Sequence, residues 1–173
     1  MDFILFAISA YLLGSIPTAI WLGKAKYGID VREHGSNNAG ATNTFRVLGK
    51  KPGVVVLFID ILKGFIAVFL PFIFGIGEWG SNHLIEVQLV AALCAVSGHV
   101  LPIFANFRGG KGVATSLGVI VGVHPIAAGI CVAVFLIVFV ISKYVSLGAT
   151  IAACCFPILL AFYFKVDSVW LLS

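Results

Sequence analysis

GVATSLGVIVGVHPIAAGICVAVFLIVFVIS, residues 112–142, runs for 31 positions with no Asp, Glu, Lys or Arg. A hydrocarbon core about 30 Å thick is crossed by roughly 20 apolar helical residues, so this stretch is longer than one upright span needs. His124-Pro125 stands near its middle. Proline removes a backbone donor and breaks a helix, so the run reads as one tilted span or, the reading preferred here, as two helices meeting at that point. Outward from it lie Phe3–Gly23, Val87–Phe107 and Tyr144–Phe164, all uncharged, and Gly53–Gly77, interrupted only by Asp60 and Lys63. Across 173 residues, 61% are hydrophobic and 10% charged, with a mean hydropathy of +1.12. Soluble domains carry about 25% charged residues, so the composition excludes a water-soluble globule. It excludes disordered, collagenous and disulfide-scaffold chains equally. The expected fold is all-α: a polytopic integral membrane helical bundle of about six spans plus the start of a seventh at Val169–Ser173. The chain reads as a single domain, residues 1–173.

Orientation follows from Lys and Arg. Residues 24–51 hold Lys24, Lys26, Arg32, Arg46, Lys50 and Lys51, and a second short loop holds Arg108 and Lys111. Two spans separate these loops, so they share a side, and their basic excess makes that side cytoplasmic and the N-terminus external. Glu78, His83 and Glu86 fall in a loop without Lys or Arg, which agrees. Met1-Asp2 lacks the basic start of a signal peptide, so the first run reads as a retained helix. The net charge of +4 reports this loop asymmetry and does not point to nucleic acid. Cys94, Cys131, Cys154 and Cys155 lie in apolar runs with no Cys-x-x-Cys pair and read as small hydrophobes, so no metal is expected. Gly118 and Gly122 form a small-xxx-small pair suited to close helix packing.

Two loops carry the polar chemistry. Residues 35–49 read Gly-Ser-Asn-Asn-Ala-Gly-Ala-Thr-Asn-Thr-Phe-Arg-Val-Leu-Gly, longer and richer in donors than a connector requires. Ser36 offers a hydroxyl, Asn37 and Asn43 amides, and Arg46 a fork suited to phosphate or carboxylate. The competing reading is a solvated loop anchored to acidic lipid headgroups. Residues 106–115 read Asn-Phe-Arg-Gly-Gly-Lys-Gly-Val-Ala-Thr. Glycines around Lys111 allow close backbone approach, and a helix starting after Gly112 would aim its N–H groups at an anion. The competing reading is a flexible turn with a snorkelling Lys. The pattern is not a Walker A loop, because Ala105 stands where its first glycine belongs and Gly112 where Ser or Thr should follow the Lys. Within the spans, Asp60 and Lys63 are three residues apart and able to pair, as charge at membrane depth requires. They are expected to hold their helix against the loop or to touch substrate. His99, close to the glycine loop, is a candidate for binding or catalysis, whereas His83 and His124 read as structural.

Gly14-Ser-Ile-Pro-Thr-Ala, Gly35-Ser-Asn-Asn-Ala-Gly-Ala-Thr-Asn through Arg46, Gly98-His-Val-Leu-Pro, Gly109-Gly-Lys-Gly-Val-Ala-Thr and Lys143-Tyr-Val-Ser-Leu-Gly together resemble the bacterial acyl-phosphate:glycerol-3-phosphate acyltransferases, the PlsY family, over essentially the whole chain. The resemblance implies transfer of a fatty acyl group from acyl phosphate to sn-glycerol 3-phosphate, giving lysophosphatidic acid and phosphate. It implies a bacterial inner-membrane enzyme with a cytoplasmic active site, in contact with membrane lipids and with the soluble enzyme that supplies acyl phosphate. No cofactor and no metal are implied. Ser36, Arg46 and His99 are the expected catalytic residues. Asn37, Thr42, Asn43, Gly109, Gly110, Lys111, Gly112 and Ser146 are expected to bind substrate phosphate, with the Asp60–Lys63 ion pair in support. An acyl phosphate is already activated, so orientation and charge stabilisation can carry much of the chemistry. Direct attack by the glycerol hydroxyl is preferred to a covalent intermediate on Ser36, whose only nearby loop histidine is His34. No His-x-x-x-x-Asp pair occurs, so acyltransferases of that motif class are no model. One departure stands out: family members continue into a final helix and tail whose His and Asn contribute to the site, and the expectation is that this chain lacks them and is inactive or weakly active alone. A transporter of a phosphorylated small anion is the alternative reading and a non-catalytic membrane scaffold a third.

Overall fold

The computed structural model describes residues 1–163, and the expected start of a seventh span at Val169–Ser173 lies outside the described residues. Those described form helices, turns and loops, with no strand among them. The eight helices are α1 (Asp2–Gly14), α2 (Thr18–Tyr27), α3 (Ala41–Leu48), α4 (Lys50–Ile73), α5 (Asn82–Val100), α6 (Val113–Val123), α7 (Pro125–Ser142) and α8 (Val145–Ile158). They divide between two compact units, Met1–Val123 and a second beginning at His124.

The helical segments Asp2–Tyr27, Lys50–Ile73, Asn82–Ala105 and Pro125–Ser142 are long and apolar enough to cross a membrane. Val113–Val123 and Val145–Ala161 are apolar but shorter. The 11 residues of α6 rise about 16 Å, roughly half the hydrocarbon thickness. The 31-residue run is divided as preferred: α6 ends at Val123 and α7 opens at Pro125.

The first apolar run is not one continuous helix. The Ser15 N–H closes α1 on the Tyr11 carbonyl at 2.9 Å, and α2 then restarts with the Ile20 and Trp21 N–H groups both on the Pro17 carbonyl at 3.0 Å. Pro17 has no N–H to continue the ladder, so the break falls at Ser15-Ile16-Pro17. This interruption exposes backbone groups inside an otherwise apolar span, which are tolerated at such depth only where protein groups satisfy them.

Small residues set the packing of the first unit. A Cβ on Gly14 would meet the Ala95 carbonyl, and one on Gly98 the Tyr11 carbonyl, so α1 and α5 lie backbone to backbone. A Cβ on Gly118 would meet the Ile61 carbonyl and one on Gly122 the Val68 side chain, so the expected small-residue stripe of α6 seats on α4. With lipid as apolar as any side chain, such close approach is what holds membrane helices together. Ala10, Ala67, Val68, Ala91, Ala95 and Val119 form the core these helices share. A second cluster joins Ala19 and Ile20 of α2 to Val31, Ala39, Ala41, Val56 and Ala105. Val31 is 0% exposed and Ala39 6%, so the first loop is packed onto the helices as part of the fold.

In the second unit, His124 caps α7 by accepting the Ala127 N–H on Nδ1 at 3.2 Å. This is the structural role expected of it. Helix α7 ends at Lys143 with φ 61°, and Gly148 of α8 lets the helix approach Phe135.

Candidate active site

The break in the first run supplies the partners for the buried charges of α4. Lys63 and Asp60 pair at 2.8 Å with side chains 4% and 2% exposed. The Lys63 ammonium also donates to the Ile16 carbonyl at 2.9 Å, and Thr18 donates its hydroxyl to Asp60 Oδ1 at 3.3 Å. His99 of α5 places Nδ1 3.7 Å from the same Asp60 oxygen. The pair therefore holds α4 against the α1–α2 break, where Ile16 offers a backbone carbonyl and Thr18 a hydroxyl. Thr18 was not singled out by sequence, although its place directly after Pro17 is the signal that could have marked it.

Above this cluster lies the glycine loop. Gly109 donates to the Val100 carbonyl and Gly110 to the His99 carbonyl, each at 3.1 Å. A Cβ on Gly110 would strike His99 Nε2, so only glycine lets the loop lie flat on the imidazole. Gly112 has φ +79°, a conformation in which glycine carries no Cβ penalty, and it turns the chain into α6. Asp60, Lys63, His99, Gly109 and Gly110 line one small polar pocket with Ile16, Pro17, Thr18, Ala39 and Pro102. Lys111 is exposed and Gly112 buried.

The first loop is organised by Asn43, which is 1% exposed. Its Oδ1 accepts the Ser36 N–H at 2.8 Å and the Ser36 hydroxyl at 3.1 Å. Its amide nitrogen donates to the Val31 and His34 carbonyls at 2.8 and 3.1 Å. All of the amide's hydrogen-bonding positions are thus used within the loop. Asn43 thereby fixes Ser36, which is exposed. Asn37, at φ 57°, donates to the Arg32 carbonyl at 3.0 Å. Thr42 and Arg46 are exposed on α3, and neither Arg46 nor Lys111 has an ion-pair partner among the described residues. Ser146 is an exposed residue in the first turn of α8, in the second unit, with its carbonyl accepting the Thr150 hydroxyl at 2.9 Å.

The two loops meet. The Ala39 N–H donates to the Gly109 carbonyl at 3.4 Å. Arg32 reaches across with Nη1 to the Ala105 carbonyl at 2.9 Å and the Arg108 carbonyl at 3.4 Å. Asp30 receives Arg32 Nε and Nη2 at 3.0 and 2.8 Å, and Lys24 stands 3.2 Å away. The hydrogen bonds from Arg32 hold the Asp30 carboxyl well below the usual carboxylate range. Sequence reading counted Arg32 only toward orientation, and Asp30 not at all. The Asp-x-Arg spacing, which lets a carboxylate cap a turn and grip the fork that follows, was the available signal.

Beside the polar pocket an apolar groove lies between α2 and α4. Ile16 and Thr18 belong to both, and Trp21, Leu22, Ala25, Val55 and Ile59 line the groove. A polar pocket beside an apolar groove, with unpaired cations in the neighbouring loops, suits an amphiphilic anion.

Together these features define an integral membrane protein of helical fold. The family model described as glycerol-3-phosphate acyltransferase matches residues 4–173. The glycerol-3-phosphate acyltransferase of Chlorobaculum tepidum is 45% identical over 166 residues, covering 93% of this chain and 71% of that one. Glycerol-3-phosphate acyltransferase 2 of Bacillus cereus strain ZK / E33L is 52% identical over 149 residues, covering 86% and 71%. Among solved structures, PlsY (YgiH), an integral membrane glycerol 3-phosphate acyltransferase, matches in its glycerol 3-phosphate form. The TM-score is 0.83 at 41% identity, over 98% of this chain and 82% of that one. Its lysophosphatidic acid form matches with a TM-score of 0.79 at 40% identity, over the same shares. The chain belongs to the glycerol-3-phosphate acyltransferase family and is an acyltransferase.

Proposed function

We propose that this acyltransferase moves a fatty acyl group from acyl phosphate to sn-glycerol 3-phosphate. The products are 1-acyl-glycerol 3-phosphate, a lysophosphatidic acid, and inorganic phosphate. The observation that carries the reading is the union of the two loops: Arg32 and the Ala39–Gly109 hydrogen bond bring two anion-receptive segments to one pocket, and both substrates are phosphates. Solution of the neighbouring PlsY in glycerol 3-phosphate and lysophosphatidic acid forms supports acceptor and product.

In this reading Lys111, with the backbone at Gly109, Gly110 and Gly112, binds the glycerol 3-phosphate phosphate, and Asn37 and Thr42 add polar contacts. Arg46 and Ser36 stabilise the departing phosphate and the carbonyl oxygen. The glycerol hydroxyl oxygen attacks the acyl carbon, the carbon–oxygen bond to phosphate breaks, and the hydroxyl proton leaves to solvent or phosphate. His99, 6% exposed beneath Gly110, keeps the loop placed against the reacting groups. The acyl chain occupies the α2–α4 groove. The enzyme sits in a bacterial inner membrane with an external N-terminus and a cytoplasmic site, in contact with membrane lipids and the soluble acyl-phosphate-producing enzyme.

The donor is tested by offering the purified chain palmitoyl phosphate, palmitoyl-coenzyme A or a palmitoyl carrier-protein thioester, each with glycerol 3-phosphate. Release of phosphate and lysophosphatidic acid in equal amounts from the first alone is expected. Turnover of a thioester without acyl phosphate turnover would overturn the reading.

A further inference from the structure

The guanidinium that bridges both loops spends most of its donors on the protein itself. Arg32 has five N–H donors. Nε and Nη2 face Asp30, and Nη1 serves the carbonyls of Ala105 and Arg108. Its side chain is only 14% exposed and that of Asp30 9%, so the fork is sheltered and its charge already neutralised. Asp30 also accepts the Arg32 backbone N–H at 3.0 Å, capping the turn Val31–Glu33. The fork is therefore anchored within its own turn before it reaches out.

What it reaches is a strained segment. Asn106 and Phe107 stand consecutively at φ 55° and 57°, which L-residues with a Cβ resist. Ala105 and Arg108, the two residues whose carbonyls Arg32 binds, flank that pair. Gly109 follows at once, and it is Gly109 that receives the Ala39 N–H. We infer that Arg32, gripped by Asp30, is a positioning residue for glycerol 3-phosphate: by spanning the Ala105 and Arg108 carbonyls it holds the Asn106–Phe107 turn and fixes the glycine loop in register with the Ser36 loop. This rests on the reading that both loops serve one phosphate-bearing substrate. A lysine cannot replace the arginine. Its three donors radiate from one atom and cannot grip a carboxylate side-on while reaching two carbonyls on the far side.

The test compares the full chain in micelles with R32A, R32K and, as a charge control, K26A, whose exposed lysine lies in the last turn of α2. Two readouts are taken: amide hydrogen exchange by mass spectrometry, and steady-state kinetics with palmitoyl phosphate and glycerol 3-phosphate. In R32A and R32K alike, exchange should quicken about tenfold in peptides covering residues 34–40 and 103–112, while α4 and α5 keep their protection. KM for glycerol 3-phosphate should rise about tenfold with kcat within threefold, and K26A should match the unaltered chain. Wild-type exchange and KM in R32A would overturn the inference. So would full rescue by R32K, which would mean that charge alone matters, or loss of protection throughout α4 and α5, which would mean a general folding role. If the unaltered chain does not turn over palmitoyl phosphate, the donor reading falls by itself, and the exchange pattern still decides whether Arg32 couples the loops.

Discussion

Lys63 donates to the carbonyl of Ile16, 2.9 Å away and 47 positions earlier. The ammonium is at the same time 2.8 Å from Asp60, so a cation buried in an apolar helix is shared between a carboxylate and the backbone of a broken one. Each feature accounts for the other. The break would leave a carbonyl unsatisfied at membrane depth, and the ammonium, its charge balanced by Asp60, would have a donor without an acceptor.

Removing one partner should therefore cost more than removing both. Lys63→Met leaves Asp60 buried without its cation and is expected to destabilise the first unit by about 3–5 kcal/mol. The double variant Asp60→Asn/Lys63→Met should recover most of that loss. Thermal unfolding in detergent reads the comparison, and strictly additive losses would show that the two residues are not energetically paired.

Arg46 and Lys111 carry the exposed charges of the two loops. Arg46→Ala and Lys111→Ala are each expected to lower acyl transfer about tenfold or more, at least about 1.4 kcal/mol of transition-state stabilisation. Lys111→Ala should act mainly on the apparent affinity for glycerol 3-phosphate. Steady-state kinetics with each substrate varied in turn separates the two, and an unchanged affinity in Lys111→Ala would remove that residue from the phosphate site.

Much of this was legible in residue order. Charge scarcity read out the membrane class, the His124-Pro125 pair read out the division between α6 and α7, and the Gly118/Gly122 stripe read out its close packing. The Asp60–Lys63 pairing followed from a spacing of three and the cost of buried charge. The break at Ser15-Ile16-Pro17 was masked by the surrounding apolar run, where hydropathy is indifferent to whether the backbone is continuous. The part of Asn43 in organising its loop was not legible, because an amide in a polar loop looks the same whether it faces ligand or its own backbone; only the fold shows Val31, His34 and Ser36 gathered around it. Arg32 escaped notice because its partners, Ala105 and Arg108, are backbone carbonyls more than 70 positions away, and a carbonyl has no signature in sequence.

The Asp30–Arg32 grip should be insensitive to pH over the working range. Arg32 keeps the folded Asp30 carboxyl well below its ordinary value. A carboxyl depressed in the folded state contributes stability above its unfolded value, near 4, and loses it only as pH falls through the lower folded value. Exchange protection of residues 34–40, corrected for intrinsic rates, should stay level from pH 8 to 5 and decline only below about pH 4. Asp30→Asn should show reduced protection at every pH. A decline in the unaltered chain between pH 7 and 5 would assign the loop contact to some other titrating group.

The groove between α2 and α4 makes a prediction about chain length. Ala25 and Trp21 lie on one side and Val55 and Ile59 on the other, while Ile16 and Thr18 mark the end shared with the polar pocket. Ala25 stands seven positions beyond Thr18, so on α2 it sits about 10 Å along the groove from the pocket. Enlarging it blocks the far part of the groove and spares the near part. Ala25→Phe is expected to slow transfer from a sixteen-carbon acyl phosphate about tenfold while changing an eight-carbon donor less than twofold, because each buried methylene is worth about 0.8 kcal/mol and only the longer chain loses its burial. KM for glycerol 3-phosphate should not move, since Ala25 does not line the polar pocket. Competition between the two donors in one reaction reads the selectivity directly. Equal slowing of both would place the acyl chain elsewhere on the helices.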